Sequence, residues 1–254
     1  YWANGEVGRE ANLADAFETL GFADPVFYHY DIDVGQAGDF VGHSLARKTI
    51  TLNGQRATIV ETPRMILATW LPSDRDLFRE INADPKVMEF FPFRRSYEEA
   101  DAFLGKLNGM VKETGLGFYA MVLKETQEPL GFCGLSHPNL PGVFPNQTVE
   151  IGWRMATRFW GNGYATEAAA ALLHWAFSHK DLDAVVSFAV EANARSVNVM
   201  KRIGLHRIAD LDFDHPRVPD SHPHLKRHVV YAVTRDEWMR QAAEKDRPAH
   251  INEP

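Results

Sequence analysis

The sequence contains one cysteine in 254 residues, Cys133, so an intramolecular disulfide is excluded. Cys133 lies in an apolar stretch, where a small buried side chain is more common than a catalytic thiol. Long hydrophobic runs are also lacking, since runs such as Ala168–Leu173 are far shorter than the ~20 residues that span a bilayer. The chain does not open on a basic segment followed by an apolar one, the pattern of a secretory signal. These absences predict a cytoplasmic protein with no membrane partner.

An excess of positive charge is lacking as well, because the formal net charge is -7 at pH 7. Binding to nucleic acid requires a basic surface, so no nucleic acid partner is expected. The charge suits a small or cationic substrate better. A chain of this length buries one sizeable core and has room for an appended segment.

The clearest pattern that is present is a strand, a glycine loop and a helix between Thr148 and His179. Alternate residues up to Met155 are apolar, which predicts a half-buried strand with Glu150 on its polar face. From Ala165 the apolar residues recur at helical spacing, which predicts an amphipathic helix packed on a sheet. The loop between them carries two glycines just before the first helical turn.

This loop is suited to bind phosphate, because helix N-termini carry unpaired N–H groups and glycine lets the backbone approach a ligand. A P-loop is excluded, because Tyr164 follows Gly163 where a lysine is needed. A dinucleotide fingerprint is a weak alternative: Thr166 replaces its third glycine, although Asp181 and Asp183 lie near the distance expected for its ribose-binding acid. A tight turn without a ligand also remains open.

Two separate segments resemble the GCN5-related N-acetyltransferase (GNAT) superfamily. Arg158, Gly161 and Gly163 match the Arg/Gln-x-x-Gly-x-Gly/Ala loop of these enzymes. The segment Asn193–Leu205 resembles the helix that follows their fifth strand; it begins on a favourable N-cap residue, and Gly204 is suited to a left-handed C-cap. The two segments lie at the separation that the superfamily shows.

About two-thirds of the chain, from Arg64 to Trp238, is similar to the branch that includes the ribosomal-protein N-terminal acetyltransferases. Glu150–Trp153, Gly163–Ala168 and Leu130–Leu135 carry this likeness. It implies an α/β fold with a central mixed sheet flanked by helices on both faces. The element order read from the patterns, β-α-α-β-β-β-α-β-α-β-β, fits that fold and does not fit regular βαβ alternation.

The chain divides into a predicted N-terminal extension over residues 1–56, the GNAT domain over 57–240 and a polar tail over 241–254. The extension contains a predicted helix, Ala11–Leu20, followed by two strands. This order mirrors the end of the main domain. The extension is therefore either a truncated copy of the C-terminal half of such a domain or an unrelated addition.

Two serines mark predicted helix starts in the main domain. Ser96 and Glu99 form a capping box that opens a helix with a clear apolar stripe. Ser73 is predicted to cap a shorter helix, with Asp76 in its first turn.

The resemblance implies acetyl-CoA as the cosubstrate. It places the pyrophosphate on the backbone N–H groups of the glycine loop and the pantetheine along the end of the preceding strand. The amides of Met155 and Ala156 are then the expected donors to the oxyanion. The expected cofactor-binding residues are Met155, Ala156, Arg158, Trp160, Gly161, Asn162, Gly163, Tyr164, Asn193 and Ser196.

Glu150 is the expected base for the acceptor amine, because many relatives use a carboxylate near this strand; an ordinary exposed glutamate is the alternative. Met200 stands seven residues after Asn193, where many relatives carry a tyrosine that protonates the leaving thiolate. A thioether cannot donate a proton. Ser196 is therefore the expected acid, or the thiolate leaves with N–H support alone.

Two regions are expected to border the acceptor. Phe91 and Phe93 lie in a connector that commonly walls the acceptor site in the superfamily, although a buried hydrophobic plug is equally compatible. Asp212, Asp214 and His215 lie in a loop that borders the pocket by resemblance, where they orient a cationic substrate or cap loop backbone. Their spacing matches no standard zinc or calcium pattern, so no metal is predicted.

The sequence therefore predicts an acetyl-CoA-dependent N-acetyltransferase that acts on a primary amine of a protein N-terminus or a small molecule. Met200 and the N-terminal extension leave an alternative, a catalytically weak acyl-CoA-binding module with a regulatory role. The identity of the acceptor is left open, because acceptor loops vary within a fold. A monomer and a homodimer also both remain open.

Overall fold

The computed structural model describes residues 56–245. The helix and strands predicted within the N-terminal extension lie outside the described residues, as does the tail from residue 246 onward.

The described residues form a mixed sheet covered by helices on both faces. In chain order the elements are β1 (Thr58–Glu61), β2 (Met65–Ala68), α1 (Arg75–Ala83), α2 (Tyr97–Thr114), β3 (Gly117–Leu123), β4 (Pro129–Ser136), β5 (Glu150–Met155), α3 (Tyr164–His179), β6 (Ala184–Val190), α4 (Ala194–Arg202), β7 (His206–Arg207), β8 (Phe213–Asp214), β9 (Arg227–Thr234) and α5 (Arg235–Lys245).

The hydrogen-bonded strand order is β1-β2-β3-β4-β5-β6-β9-β7, and β8 also pairs with β9. Neighbouring strands are antiparallel except for β5 and β6, which are parallel. The mixed sheet confirms the predicted fold. Strand β1 is an addition to the predicted order; it returns to β2 through a turn in which Thr62 N donates to Met65 O at 2.9 Å.

Two apolar layers cover the sheet because side chains alternate along its strands. On one side, here called the α3 face, Ile151 of β5 packs with Leu172 of α3 and Met200 of α4. On the other side, here called the α1 face, Phe132 of β4 packs with Phe78 of α1. The polar face of β5 therefore points toward α1 and its apolar face toward α3, as the alternation in the sequence predicts.

Ser96 caps α2 as predicted. Its hydroxyl accepts a hydrogen bond from Glu99 N at 3.2 Å, and the Glu99 carboxylate accepts one from Ser96 N at 2.8 Å. The predicted Ser73 cap is wrong. Ser73 is exposed in a short 3-10 turn before α1, and Asp74 accepts the bond from Leu71 N at 2.8 Å instead.

Replacing Ser96 with alanine is expected to lower the free energy of unfolding by about 1 kcal/mol, because the N-terminal amides of α2 lose their acceptor. The change Ser73→Ala is the matched control and should cost less than about 0.5 kcal/mol, because that hydroxyl caps nothing. Urea unfolding followed by circular dichroism measures both. Equal losses in the two variants would contradict the cap assignment.

Cys133 lies in β4 and is fully buried in the core of the α3 face. Burial raises the pKa of its thiol well above the usual range. These surroundings confirm the prediction of a small buried side chain and leave no reactive thiolate.

Helix α5 packs against the end of the fold. Trp238 lies with its ring centroid 6.0 Å from that of Phe177, and Gln241 Nε2 donates to Gly204 O at 3.2 Å. The predicted boundary at residue 240 falls inside this helix. Of the helices within residues 56–245, none combines the length and apolar character needed to cross a membrane.

Candidate active site

The parallel strands β5 and β6 separate soon after they meet. They share one register position, Glu150 opposite Val186, where Val186 N donates to Val149 O at 3.0 Å. One residue further along, the link is made by a side chain, because Ser187 Oγ donates to Ile151 O at 2.9 Å. Beyond that point the two strands are no longer paired. A gap, here called the notch, therefore opens between their C-terminal ends.

The register between β4 and β5 decides which backbone groups of β5 face the notch. Ala156 N donates to Leu130 O at 3.0 Å, and bonded and non-bonded pairs alternate along an antiparallel ladder. Met155, opposite Gly131, is then in a non-bonded pair, so its N–H points away from β4 toward the notch. The same holds for Trp153. Of the two predicted oxyanion donors, Met155 has an available amide, whereas the amide of Ala156 is engaged in the sheet.

The loop after β5 presents a row of unpaired backbone N–H groups. Gly161 and Gly163 have φ angles of 83° and 77°, which side chains with a Cβ rarely adopt. The amides of Phe159 and Trp160 are engaged in a 3-10 turn. The amides of residues 161–164 have no hydrogen-bond partner within the described part of the chain. At the N-terminus of α3 they form a cradle suited to an anion such as a pyrophosphate.

The side chains around this cradle hold the loop in shape. Trp160 Nε1 donates to Met155 O at 3.0 Å, and Asn162 Nδ2 donates to loop carbonyls at 3.2 and 3.3 Å. The Arg158 guanidinium pairs with Glu80 of α1. The charge of Arg158 is therefore already matched by a carboxylate.

The start of α3 is tied to the turn between β1 and β2. The Glu167 carboxylate accepts from Thr62 Oγ1 at 2.7 Å and from Arg64 Nε at 2.6 Å. The Arg64 guanidinium also lies 4.4 Å from the ring centroid of Tyr164, and a Cβ at Gly163 would lie 3.7 Å from its Nη2. Arg64 is thus ion-paired with Glu167 beside the cradle, and the two charges neutralise each other.

Glu150 lies on the α1 face of β5, where the strands begin to part. Burial raises the pKa of Glu150 to about 7, and a hydrogen bond from Ser136 Oγ at 2.9 Å partly opposes that shift. A carboxylate with such a pKa is able to accept a proton near neutral pH. These surroundings differ from those of an ordinary exposed strand glutamate.

Helix α4 packs on the α3 face, on the opposite side of the sheet from Glu150. Asn193 caps it as predicted, because Asn193 Oδ1 accepts from Ser196 N at 3.1 Å. The Ser196 hydroxyl has no hydrogen-bond partner within residues 56–245. Met200 is only 1% exposed and belongs to the core. The notch is the opening that connects the side of Ser196 with the side of Glu150.

The connector between α1 and α2 meets the loop before β9 at the end of β6. Phe90 of the connector packs against a small apolar cluster of Val190, Val218 and Leu225. Arg195 of α4 ties the same region together, since it pairs with Glu89 at 2.5 Å and lies 4.6 Å from the ring centroid of Trp160. The connector therefore closes one side of the notch.

Phe91 and Phe93 are 40% and 49% exposed, with ring centroids 6.4 Å apart. The connector is therefore not a buried hydrophobic plug. The Arg154 guanidinium lies 4.4 Å from the centroid of Phe91, which places this ring beside the polar face of β5.

The three polar residues predicted before β9 do not form one cluster. Asp212 is buried, and its carboxylate accepts from Val230 N at 2.9 Å and from Arg207 Nε at 3.2 Å, so it supports the loop. Asp214 is exposed. Burial lowers the pKa of His215 to about 4, so this ring is neutral at pH 7.

Ser187 and Arg154 are polar groups near the notch that the sequence patterns do not mark. Ser187 becomes prominent only because two strands separate beside it. Arg154 follows Glu150 on the same face of β5, and its Nη1 donates to Asn82 Oδ1, 72 residues away, at 2.6 Å. The period-2 pattern predicts that Arg154 and Glu150 share a face, but no local pattern predicts the contact with Asn82.

Comparison with known proteins gives a consistent result. The family model described as "Acetyltransferase (GNAT) domain" matches residues 64–206. YkkB of Bacillus subtilis (strain 168) is 34% identical over 137 residues, covering 52% of this chain and 77% of that protein. The FsC-acetyl coenzyme A-N(2)-transacetylase of Aspergillus fumigatus is 28% identical over 186 residues, covering 71% of this chain and 78% of the relative.

Solved structures share the fold. An acetyltransferase from Agrobacterium tumefaciens str. C58 superposes with a TM-score of 0.55 at 26% identity, over 74% of this chain and 99% of that one. The spermidine N-acetyltransferase from Vibrio cholerae, solved in complex with CoA and spermine, has a TM-score of 0.55 at 12% identity, over 69% of this chain and 98% of that one.

Proposed function

Since the chain belongs to the acetyltransferase (GNAT) domain family, we propose that it transfers the acetyl group of acetyl-CoA to a primary amine. Membership of this family makes it an acyltransferase. The observation that carries the finer proposal is the position of Glu150, with its raised pKa, beside the notch into which the Met155 amide points.

The chain offers a binding site for each end of acetyl-CoA. The amides of residues 161–164 suit the pyrophosphate. The N–H groups of Trp153 and Met155, which point into the notch, suit the amides of a pantetheine chain, which would continue the hydrogen bonding of β5. Asn193 and Ser196 are proposed to contact the cofactor from the α3 face.

The residues then divide the chemistry among them. Glu150 takes a proton from the ammonium group of the acceptor, directly or through a water, so that the amine nitrogen attacks the thioester carbon. The Met155 N–H donates to the carbonyl oxygen as negative charge develops there. When the C–N bond has formed and the C–S bond breaks, the second proton of the attacking nitrogen passes to the leaving sulfur through the Ser196 hydroxyl, so that the neutral amide and the thiol of CoA are released. The proton on Glu150 returns to solvent.

The acceptor is proposed to be an amine of a small molecule or a protein N-terminus. Two of the compared proteins are named for transfer to nitrogen, the N(2)-transacetylase and the spermidine N-acetyltransferase, which supports an amine here. The likeness of Glu150–Trp153 and Gly163–Ala168 to the ribosomal-protein acetyltransferase branch supports the N-terminus. Phe91, Phe93 and His215 are proposed as walls of the acceptor side.

Acetyl-CoA is expected to raise the apparent free energy of unfolding by about 2.7 kcal/mol when its concentration is a hundred times the dissociation constant. Thermal unfolding with and without the ligand measures the effect, and NADH serves as the control that should give none. Release of CoA with a panel of primary amines then tests transfer. If acetyl-CoA stabilises the protein but no amine in the panel releases CoA, the binding site stands and the proposed transfer does not.

A further inference from the structure

Arg154 of β5 and Arg95, next to the start of α2, share a single uncharged acceptor. Both donate to Asn82 Oδ1, at 2.6 Å and 3.3 Å respectively. Asn82 is fully buried, and its Nδ2 donates to Phe78 O at 2.7 Å, which fixes the amide with its oxygen toward the two guanidinium groups. The amide therefore orients both arginines without neutralising either.

Neither arginine forms an ion pair with a carboxylate anywhere in residues 56–245. Glu99 is the acidic group whose field reaches Arg95, but its carboxylate already accepts from Ser96 N at 2.8 Å. Burial lowers the pKa of Arg154 to about 9, and the neighbouring charge of Arg95 adds to that shift. Two like charges thus lie close together in a partly desolvated place, an arrangement that an anion would stabilise.

Within residues 56–245, the other partly buried arginines are matched with carboxylates. Arg56 donates to both oxygens of Asp74, at 2.6 and 2.5 Å, and Arg79 donates to both oxygens of Asp101, at 2.9 and 2.6 Å. Acidic residues also outnumber basic ones, 34 to 27. The missing partner at Arg154 is therefore a local feature of this place and does not follow from a shortage of acidic groups.

The side chain of Arg154 lies half-buried among aromatic rings. Its guanidinium carbon lies 4.4 Å from the ring centroid of Phe91 and 5.4 Å from that of Phe132, so aromatic rings cover part of it. The side chains of Arg154 and Arg95 are both partly exposed. A guanidinium has five N–H donors, and among the described residues only one of those on Arg154 has an acceptor. Two unused N–H groups of a guanidinium bind an oxyanion in a bidentate manner.

Arg154 and Glu150 lie on one surface, the face of β5 that points toward α1. They point to the same face of β5, with Gly152 between them, and four residues of strand separate their Cα atoms by about 13 Å. The ring of Phe118 covers Gly152, since a Cβ built there would lie 3.3 Å from its Cε1, so the surface between the two groups is apolar. An acceptor amine held at Glu150 is thus too far from Arg154 for the carboxylate of the same α-amino acid to reach it.

We propose that Arg154, Arg95 and Asn82 form a subsite for an oxyanion of the acceptor, so that the acceptor carries a primary amine and an anionic group at opposite ends of a spacer. This inference rests on the proposed function, because it assigns the amine to Glu150. A carboxylate and a phosphate share the chemistry that the subsite recognises, and the substrate series below distinguishes them.

Rates of CoA release are compared for 4-aminobutanoate, 6-aminohexanoate and 8-aminooctanoate against the unsubstituted alkylamines of the same chain lengths, with 6-aminohexylphosphonate as the phosphate-like arm. At least one anionic acceptor is expected to exceed its alkylamine in kcat/KM by about tenfold or more, through a lower KM. In Arg95→Gln this advantage should disappear while the rate with alkylamines changes less than about twofold. Arg154→Lys, which keeps the charge but loses the fork, should retain part of it.

The exposed Arg202, which lies on α4 without an ion pair among the described residues, supplies the control Arg202→Gln, and this change should leave the advantage intact. Equal rates for charged and uncharged acceptors would overturn the proposal, and so would a weaker dissociation constant for acetyl-CoA in Arg95→Gln, which would assign the arginines to the cofactor. Calorimetric titration of 6-aminohexanoate into the CoA-loaded protein tests the subsite without turnover. If 6-aminohexanoate binds, if this binding is lost in Arg95→Gln and if no amine is acetylated, the subsite stands and the proposed function is contradicted. If 6-aminohexanoate does not bind, only the subsite is contradicted.

Discussion

Glu150→Gln is expected to lower kcat/KM for acetyl transfer by about 10²–10⁴-fold, because glutamine keeps the shape of the side chain but cannot accept the proton of the amine. The dissociation constant of acetyl-CoA should stay within about twofold, since the cradle and the notch amides are untouched. Initial rates and ligand titration on the same preparations separate the two quantities. Glu191→Gln is the matched control, because Glu191 follows β6 directly and is exposed beside Arg207.

The pH dependence of this effect carries a second signature. The ratio of wild-type to Glu150→Gln rates cancels the ionisation of the acceptor, and it should rise with pH through about 7 and then level off. Ser136→Ala removes the hydrogen bond that lowers the pKa of Glu150, so its profile should move to higher pH. A ratio that does not change between pH 6 and pH 8 would show that Glu150 is not the base.

The variant Glu150→Gln is expected to have a higher free energy of unfolding than the wild type at pH 8. The folded-state pKa of Glu150, about 7, lies above its unfolded value, so the folded state holds a proton that the unfolded state has lost between these two pKa values. Stability therefore falls as pH rises through that range, and the cost persists above it. Removing the charge should recover about 1–3 kcal/mol. Glu150 would then be a group that trades stability for reactivity.

Gly161→Val is expected to weaken acetyl-CoA binding by about a hundredfold or more. The site itself has room, because no atom lies within 4 Å of a Cβ built there. The new side chain would instead occupy the space in front of the cradle amides and oppose the φ of 83°. The backbone strain should cost about 1–2 kcal/mol of stability, so the variant should still fold.

Gly142 offers a control with the same backbone conformation. Its φ is 76°, a Cβ there would also meet open space, and it lies in the loop before β5. Gly142→Val should therefore lose similar stability and keep its affinity for acetyl-CoA. Calorimetric titration of both variants, with thermal unfolding alongside, makes the comparison. Similar affinities in the two variants would mean that residues 161–164 form an ordinary turn.

Elements with strong local patterns were accessible from the sequence. The alternation in β5, the helical period of α3 and the capping box at Ser96 are all carried by residues within a few positions of one another. The glycines of the cradle were accessible for the same reason, because a glycine in the local sequence often marks a position with a positive φ. Strand β1 was missed because only one of its four residues, Val60, is buried, so Thr58–Glu61 shows neither a buried run nor an alternation.

Other features depend on contacts that no local pattern records. Which amide of Met155 and Ala156 faces the notch is set by the register between β4 and β5, which only the folded sheet fixes. Asp212 resembles a free carboxylate in the sequence, yet Arg207 and the backbone of β9 both bind it. The general acid is a similar case. The sequence marks Met200 as a departure from the family pattern, and its burial shows that this position serves the core.

The burial of Cys133 in the middle of the sheet gives the molecule a built-in reporter. A thiol that is sealed in β4, with its ionised form strongly disfavoured, cannot react with an alkylating reagent until the strands around it open. Since the whole chain carries one cysteine, every labelling event reports that opening and no other. The labelling rate in the native state therefore measures the free energy of opening around β4. Slower labelling in the presence of acetyl-CoA would measure how much the bound ligand raises that free energy.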